Sequence, residues 1–188
     1  MHPFSAWATA LLWLAFLVDW NAATRKAAPT LSIESPRSRL VHLSLFWGSL
    51  FLALGVRFPP LDRRWLPTSS ATAPIGLAIQ ASSFVLVAWA RCHLGPNWSG
   101  AIAIKVVHHL VRTGPYRLVR HPMYTGILGM FLGTAVASGE VHALFAFAVM
   151  VLAYLRKIRL EERCLGEVFG SAYDEYRRST WSLVPWLF

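Results

Sequence analysis

The residues with most to offer chemically stand in one short run, Arg120-His121-Pro122-Met123-Tyr124. Proline lacks an N–H and has a φ close to the helical value, so Pro122 suits the first turn of a helix. Arg120 and His121 then sit just before that helix, and Tyr124 lies about one turn inside it. A helix N-terminus presents free N–H groups and the positive end of the macrodipole, which together seat a carboxylate. Arg120 adds a bidentate clamp for the same group. His121 and Tyr124 add directional hydrogen bonds. The turn signal Gly114-Pro115 precedes the run, and His108, His109, Arg112, Tyr116 and Arg117 lie in the same stretch. Arg112 and Arg117 also suit contact with anionic lipid.

A second polar segment, 156–176, carries the adjacent acids Glu161 and Glu162. Neighbours on a helix point about 100° apart, so one acid is expected to face the site and the other solvent. A buried carboxylate there suits ribose hydroxyls, an amino group or a cationic centre. Spacings of three and four place Arg159 beside Glu162 and Arg163, and Arg163 beside Glu167, the pattern of a solvated, ion-paired face. Phe169-Gly170, Tyr173 and Tyr176 are expected to fold back as an aromatic tail.

The elements that position these segments follow from the apolar runs. The chain has 188 residues, of which 55% are hydrophobic and 14% charged, against about a quarter charged in soluble domains. This excludes disorder, and two cysteines are too few for a disulfide-built domain. Uncharged stretches cover 4–18 (continuing past Asp19 to Trp20), 40–56, 71–90, 123–139 and 141–155. A membrane-spanning helix needs about 20 apolar residues. The last two stretches are short and separated only by Ser138-Gly139-Glu140, so they read as helices turning tightly back on each other. Such a hairpin delivers both polar segments to one side of the membrane. The expected fold is therefore all-α: an integral membrane bundle of about five transmembrane helices, the last two a hairpin. The chain reads as one domain, 1–188, with three N-terminal helices in 1–92 and the site-bearing part in 93–188.

Charge sets the expected orientation. The net charge is +9, from 18 Lys and Arg against 9 Asp and Glu. The bases flank the apolar runs instead of gathering on one domain, which argues against a nucleic-acid partner. Arg25, Lys26, Arg37 and Arg39 follow the first run, the third loop carries five bases and no acid, and the segment after Leu155 carries six bases. Positive-inside reasoning places these in the cytoplasm, with the N-terminus outside. The second loop, with Arg57, Arg63 and Arg64, fits less well. The first run has no preceding base and is a poor signal peptide. No organelle-targeting feature appears, so a bacterial inner membrane is the expected location. The histidines lack cysteine or carboxylate partners at ligand spacing, so no metal is expected.

Gly114-Pro115-Tyr116 followed by Arg120-His121-Pro122-Met123-Tyr124-Thr125-Gly126, then Glu161-Glu162, Phe169-Gly170, Tyr173, Tyr176 and Pro185, resembles the signature of the isoprenylcysteine carboxyl methyltransferase family. The same pattern marks the related membrane phospholipid methyltransferases. The resemblance covers roughly the last 90 residues. It implies S-adenosylmethionine as cofactor, bound on the cytoplasmic side. His109, Tyr116, Arg120, His121, Pro122 and Tyr124 match the cofactor-site motif. Glu162 matches the family's acidic position, with Glu161 its neighbour. Arg178 matches, within one residue of register, a basic position tied to substrate handling. The resemblance thus implies Arg120, Glu162 and Arg178 as the catalytic set, and a lipophilic acceptor, such as a prenylcysteine carboxylate, entering from the bilayer. A phospholipid amine or a small thiol is the alternative acceptor. A non-catalytic membrane accessory protein and a nicotinamide-dependent reductase are the readings from other classes.

Overall fold

The computed structural model describes residues 3–26, 31–32, 34–55, 61, 63–67, 69–95, 98–99, 103–104 and 110–186. Among the described residues six α-helices follow in chain order: α1 (Pro3–Lys26), α2 (Pro36–Gly55), α3 (Thr72–Leu94), α4 (Pro122–Ser138), α5 (Val141–Phe169) and α6 (Ser171–Ser179). A 3-10 turn, Gly114–Arg117, precedes α4. The described strands are two residues each, β1 (Leu31–Ser32) antiparallel to β2 (Ala103–Ile104). The fold is all-α, and α1, α2, α3 and α5 are long and apolar enough to cross a membrane. Their outward faces carry Trp7, Leu11, Leu14, Trp47, Phe51, Val85, Phe145 and Leu152. Apolar residues belong on that surface when the solvent is lipid.

α4 is the short first arm of the expected hairpin. It has 17 residues, most of them buried, and it packs against α1, α2, α3 and α5. A helix apolar on all sides is buried among its neighbours, so α4 is walled by protein. Glycine makes its closest interface possible. A Cβ at Gly133 would stand 2.7 Å from Gly76 O and Gln80 N of α3, and one at Gly76 would stand 2.3 Å from Ala137 N. Small residues let helix backbones approach in this way when no hydrophobic effect drives them together. Polar pairs add to the grip within the apolar bundle. Trp13 Nε1 donates to Thr134 Oγ1 at 3.0 Å, and Gln80 Nε2 donates to the Thr9 carbonyl at 3.3 Å. Asp19 receives two bonds from the Arg91 guanidinium, at 3.1 and 2.5 Å, joining α1 to α3.

The hairpin forms as the spacing requires. Gly139 takes the left-handed conformation (φ 64°) and caps α4, its N–H bonding Ala135 O at 2.9 Å. Glu140 begins α5 in extended geometry. Residues 63–66 brace the turn: Trp65 N donates to Gly139 O at 3.0 Å and Val141 N to Arg63 O at 2.8 Å. The described part of the second loop is thus ordered against the hairpin.

Candidate active site

The start of α4 and the end of α5 meet at the opposite end of the hairpin from its turn. The 29 residues of α5 extend about 43 Å at 1.5 Å per residue, beyond the ~30 Å hydrocarbon core. Its apolar stretch ends at Leu155, so its charged last turns project past the bilayer beside the segment that enters α4.

Arg120, His121 and Tyr124 come together there with Glu161 and Glu162. Arg120 Nε donates to Glu162 Oε1 at 2.8 Å, and the pair is nearly buried, with side chains 9% and 13% exposed. His121 Nε2 lies 3.2 Å from the same oxygen, and its Nδ1 lies 3.7 Å from Glu161 Oε2. Tyr124 Oη donates to Glu161 Oε2 at 2.6 Å, and its ring stacks on His121 with centroids 5.5 Å apart. Arg177 Nε stands 3.7 Å from Glu162 Oε2. Both acids therefore face the site, which corrects the expectation that one would point to solvent. Their 100° separation is spanned because the α4 entrance and the α6 side flank α5 on two adjacent sides. Nor does Glu162 pair along its own helix: its partners come from the loop before α4 and from α6. Burial pushes the Glu162 carboxyl up, but hydrogen bonds from His121 and Arg120 and the charges of both outweigh it. The balance holds the group down at about 2, ionised at neutral pH.

The rest of Arg120 is bound to the chain's tail. Its Nη1 donates to the carbonyls of Arg177 (3.1 Å) and Thr180. The backbone repeats the connection: Arg120 N donates to Trp181 O at 2.8 Å, His121 N to Ser182 O at 3.0 Å, and Trp181 N to Leu118 O at 3.1 Å. Thr125 Oγ1 reaches Leu183 O at 2.7 Å. Residues 180–183 thus strap down the segment that presents Arg120 and His121. α6 packs its buried tyrosines beneath, Tyr176 Oη donating to Tyr116 O at 2.7 Å. Arg112 turns to α6, bonding Ala172 O at 2.5 Å and lying over the Tyr176 ring, while Arg117 stays exposed.

Seven of the nine residues singled out from sequence surround this junction: Tyr116, Arg120, His121, Pro122, Tyr124, Glu161 and Glu162. His109 lies outside the described residues. Arg178 is exposed on α6, and its neighbour Arg177 is the base that approaches Glu162. Sequence reasoning passed over Arg177, whose only signal was a position one residue from Arg178, and over Thr125 and Thr180, whose roles depend on the strap. No group of three or more potential metal ligands occurs among the described residues. A cavity of about 590 Å³ lies elsewhere, near the hairpin turn, lined by residues such as Phe4, Arg64, Ser69, Leu77 and Ser138. It shares no side chain with the Arg120–Glu162 junction, whose hydrogen-bonded acids are the better guide to chemistry.

Comparison with known proteins bears on this geometry. The sequence profile of a family described as phospholipid methyltransferase matches residues 72–172, which contain α3, α4, α5 and the acid pair. Protein-S-isoprenylcysteine O-methyltransferase A of Arabidopsis thaliana is 33% identical over 135 residues, covering 70% of this chain and 66% of that protein. Methanethiol S-methyltransferase 1 of Bradyrhizobium diazoefficiens is 39% identical over 71 residues, 38% of this chain and 24% of that one. Among solved structures, the eukaryotic intramembrane Ras methyltransferase, an isoprenylcysteine carboxyl methyltransferase, superposes with a TM-score of 0.54 at 24% identity. That match covers 82% of this chain and 55% of the other, and it shows a shared fold. The chain thus spans 66% of the plant relative's length and a smaller part of the other two.

Proposed function

This chain belongs to the phospholipid methyltransferase family, and from that membership we propose that it is an integral-membrane enzyme that methylates a lipophilic acceptor with S-adenosylmethionine. The observation that carries the reading is the convergence of Glu161 and Glu162 with Arg120, His121 and Tyr124 at one end of the bundle. Positive-inside reasoning on the basic loops supports a cytoplasmic position for that end, in a bacterial inner membrane. Residues 93–188 form the cofactor-binding part and 1–92 supply the supporting helices.

The residues present fit this donor. Ionised Glu162 and hydrogen-bonded Glu161 suit its amino group and ribose hydroxyls. Pro122 removes one N–H from the first turn of α4, and the N–H groups of Met123 and Tyr124 remain for a carboxylate. Tyr173 Oη and Ser182 Oγ are buried without a hydrogen-bond partner, leaving polar capacity beside the junction. Arg120 holds Glu162 and the strap in place, and Arg178 or Arg177 supplies a mobile base at the rim. The donor supplies a methyl group already activated on a sulfonium. The protein's tasks are to align the acceptor in line and to exclude water, and the strap over the α4 entrance provides the closure. A carboxylate acceptor needs no general base. A thiol, the acceptor class in the name of the bacterial relative, must lose a proton, and of the junction's groups the His121 imidazole is the one suited to receive it.

The test is calorimetric titration of the purified protein with S-adenosylmethionine, S-adenosylhomocysteine and NADPH. Radiolabelled methyl transfer to prenylcysteine, phospholipid and thiol acceptors then follows. Micromolar binding of both sulfur compounds is expected. Binding of NADPH alone, or of none of the three, overturns the proposal.

A further inference from the structure

The cavity of about 590 Å³ near the hairpin turn lies at the end of the bundle opposite the Arg120–Glu162 junction, and methyl transfer leaves it unused. Its size falls within that of ligand pockets, about 300–1,000 Å³. Three helix ends build it. Phe4 and Ser5 come from the start of α1, Ala73 and Leu77 from the first turns of α3, and Ala137 and Ser138 from the end of α4. Helix ends of a spanning bundle stand at headgroup level. Phe4 is 74% exposed, so that wall of the cavity opens toward lipid.

The rim of the cavity is polar and positive, where Arg64 stands with Ser69, Ser70 and Thr72. Arg64 Nε donates to Leu66 O at 3.2 Å and its Nη1 to Ser138 O at 3.1 Å, which fixes the side chain against the hairpin turn. A guanidinium carries five N–H donors, so Arg64 keeps three with no partner among the described residues. No carboxylate pairs with it there. The Ser69 hydroxyl, which accepts from Ala71 N at 3.2 Å, and the exposed Ser70 hydroxyl can each donate to the same oxygen-rich group. Bases in the second loop run against the positive-inside pattern of the other loops, and an anion at this rim gives Arg64 a reason to be there. The floor decides which end of an amphiphile enters. Thr9 follows Ser5 by four residues and Gln80 follows Leu77 by three, so each lies one turn deeper on the same helix face. Thr9 and Gln80 are 1% and 0% exposed, and Thr9 Oγ1 and Gln80 Oε1 have no hydrogen-bond partner. An alkyl chain driven inward leaves these atoms unsatisfied, whereas a head group with hydroxyls suits them.

We propose that this cavity is a second ligand site, for an anionic phospholipid. The phosphodiester seats on Arg64 and the serine hydroxyls, the head enters the cavity, and the acyl chains leave past Phe4 into the bilayer. A fixed guanidinium fork suits phosphate oxygens in this way. A choline head brings a quaternary ammonium beside Arg63 and Arg64 and is disfavoured. The bound lipid joins the starts of α1 and α3 to the end of α4 and to the arginine that holds the hairpin turn, so occupancy stabilises that end of the bundle. The site is independent of the methyltransferase reading, which concerns the other end.

The test strips lipid from the full-length protein in detergent and follows binding of added lipid by native mass spectrometry, with melting temperatures on the same samples. Wild type is expected to bind phosphatidylglycerol about tenfold more tightly than phosphatidylcholine with the same chains, and to melt higher with it. Glycerol 3-phosphate, which has no chains, should bind about tenfold or more weakly than phosphatidylglycerol. Equal binding of the two would make the ligand a free phosphate and overturn the lipid assignment. Arg64→Gln should lose about tenfold in phosphatidylglycerol affinity, and Arg64→Lys should recover part of it. Arg63→Gln should stay within about twofold of wild type, because a general surface attraction would weaken in both. Ala73→Trp fills the cavity and should abolish binding with Arg64 intact. Helix content by circular dichroism, equal to that of wild type, reports an intact fold in each variant. Equal binding of the two lipids by wild type, an equal loss in Arg63→Gln, or an undiminished preference in Arg64→Gln overturns the proposal. Where Arg64→Gln does not fold, Ala73→Trp decides: lost binding supports the site and retained binding counts against it.

Discussion

Glu162 gathers three side chains of the junction, Arg120, His121 and Arg177. Removing one member of a buried, hydrogen-bonded charge pair strands the other, at about 3–5 kcal/mol. Arg120→Ala and Glu162→Ala are each expected to abolish donor binding or turnover while helix content, followed by circular dichroism, stays that of wild type. Full activity in both purified variants would reject the site. Arg120→Ala should also release the strap, seen as faster proteolysis after Arg177 and Arg178. Acid tests the same pair by another route. The fold holds the Glu162 carboxyl near 2 instead of its ordinary 4.5, so its ionised form is the one the native state favours. That contribution is complete above about pH 4.5 and is lost as pH falls toward about 2. The melting-temperature gap between wild type and Glu162→Gln should therefore close on acidification below about pH 4.5. Arg120, His121, Tyr124, Glu161 and Glu162 were legible because their types and order are unusual beside apolar runs. That both acids face inward was not, since a pair on one helix does not reveal that partners approach from two sides.

At the scale of helices, the hairpin was readable from two apolar runs broken by Ser138-Gly139-Glu140, and the structure places the turn there. The burial of α4 was less readable, because a run apolar on all sides looks alike whether protein or lipid surrounds it. Its glycines distinguish the two. Gly133→Leu drives a side chain into the α3 backbone at a point where a bare Cβ already lies 2.7 Å away. Overpacking of this kind costs about 1–3 kcal/mol or more, and the variant should melt well below wild type in detergent. Gly139→Ala meets both a left-handed backbone (φ 64°) and Arg64 Nη2 at 2.5 Å, and it should destabilise the hairpin turn by about 1–2 kcal/mol. Gly166→Ala, with nothing within 4 Å of the added methyl, is the control, expected to keep or slightly raise stability because alanine is the better helix former. The strap at 180–183 left no trace in the sequence, because backbone pairing with residues 118–121 requires no particular side chains.

Across the whole molecule, composition was enough to place the chain in a membrane, because lipid permits an apolar exterior that water does not. Orientation is the part that loops decide, and it is testable with the protein's own thiols. Cys92 is exposed at the end of α3 and Cys164 is half-buried near the end of α5. Both belong to the side that carries the site. In cells, a membrane-impermeant maleimide should leave Cys92 unlabelled until the membrane is permeabilised, and should label it then. Labelling of intact cells would invert the topology.

The Asp19–Arg91 clasp has a consequence for biogenesis. The acid and its cation are 72 residues apart in the chain. At about 5–20 residues translated per second, roughly 4–14 s separate their synthesis. For that interval α1 holds a carboxylate without its Arg91 partner, which favours a shallow position with Asp19 kept in the wet headgroup zone. Only when α3 is threaded does α1 settle to its final depth, which makes insertion of the first helix a step completed by the third.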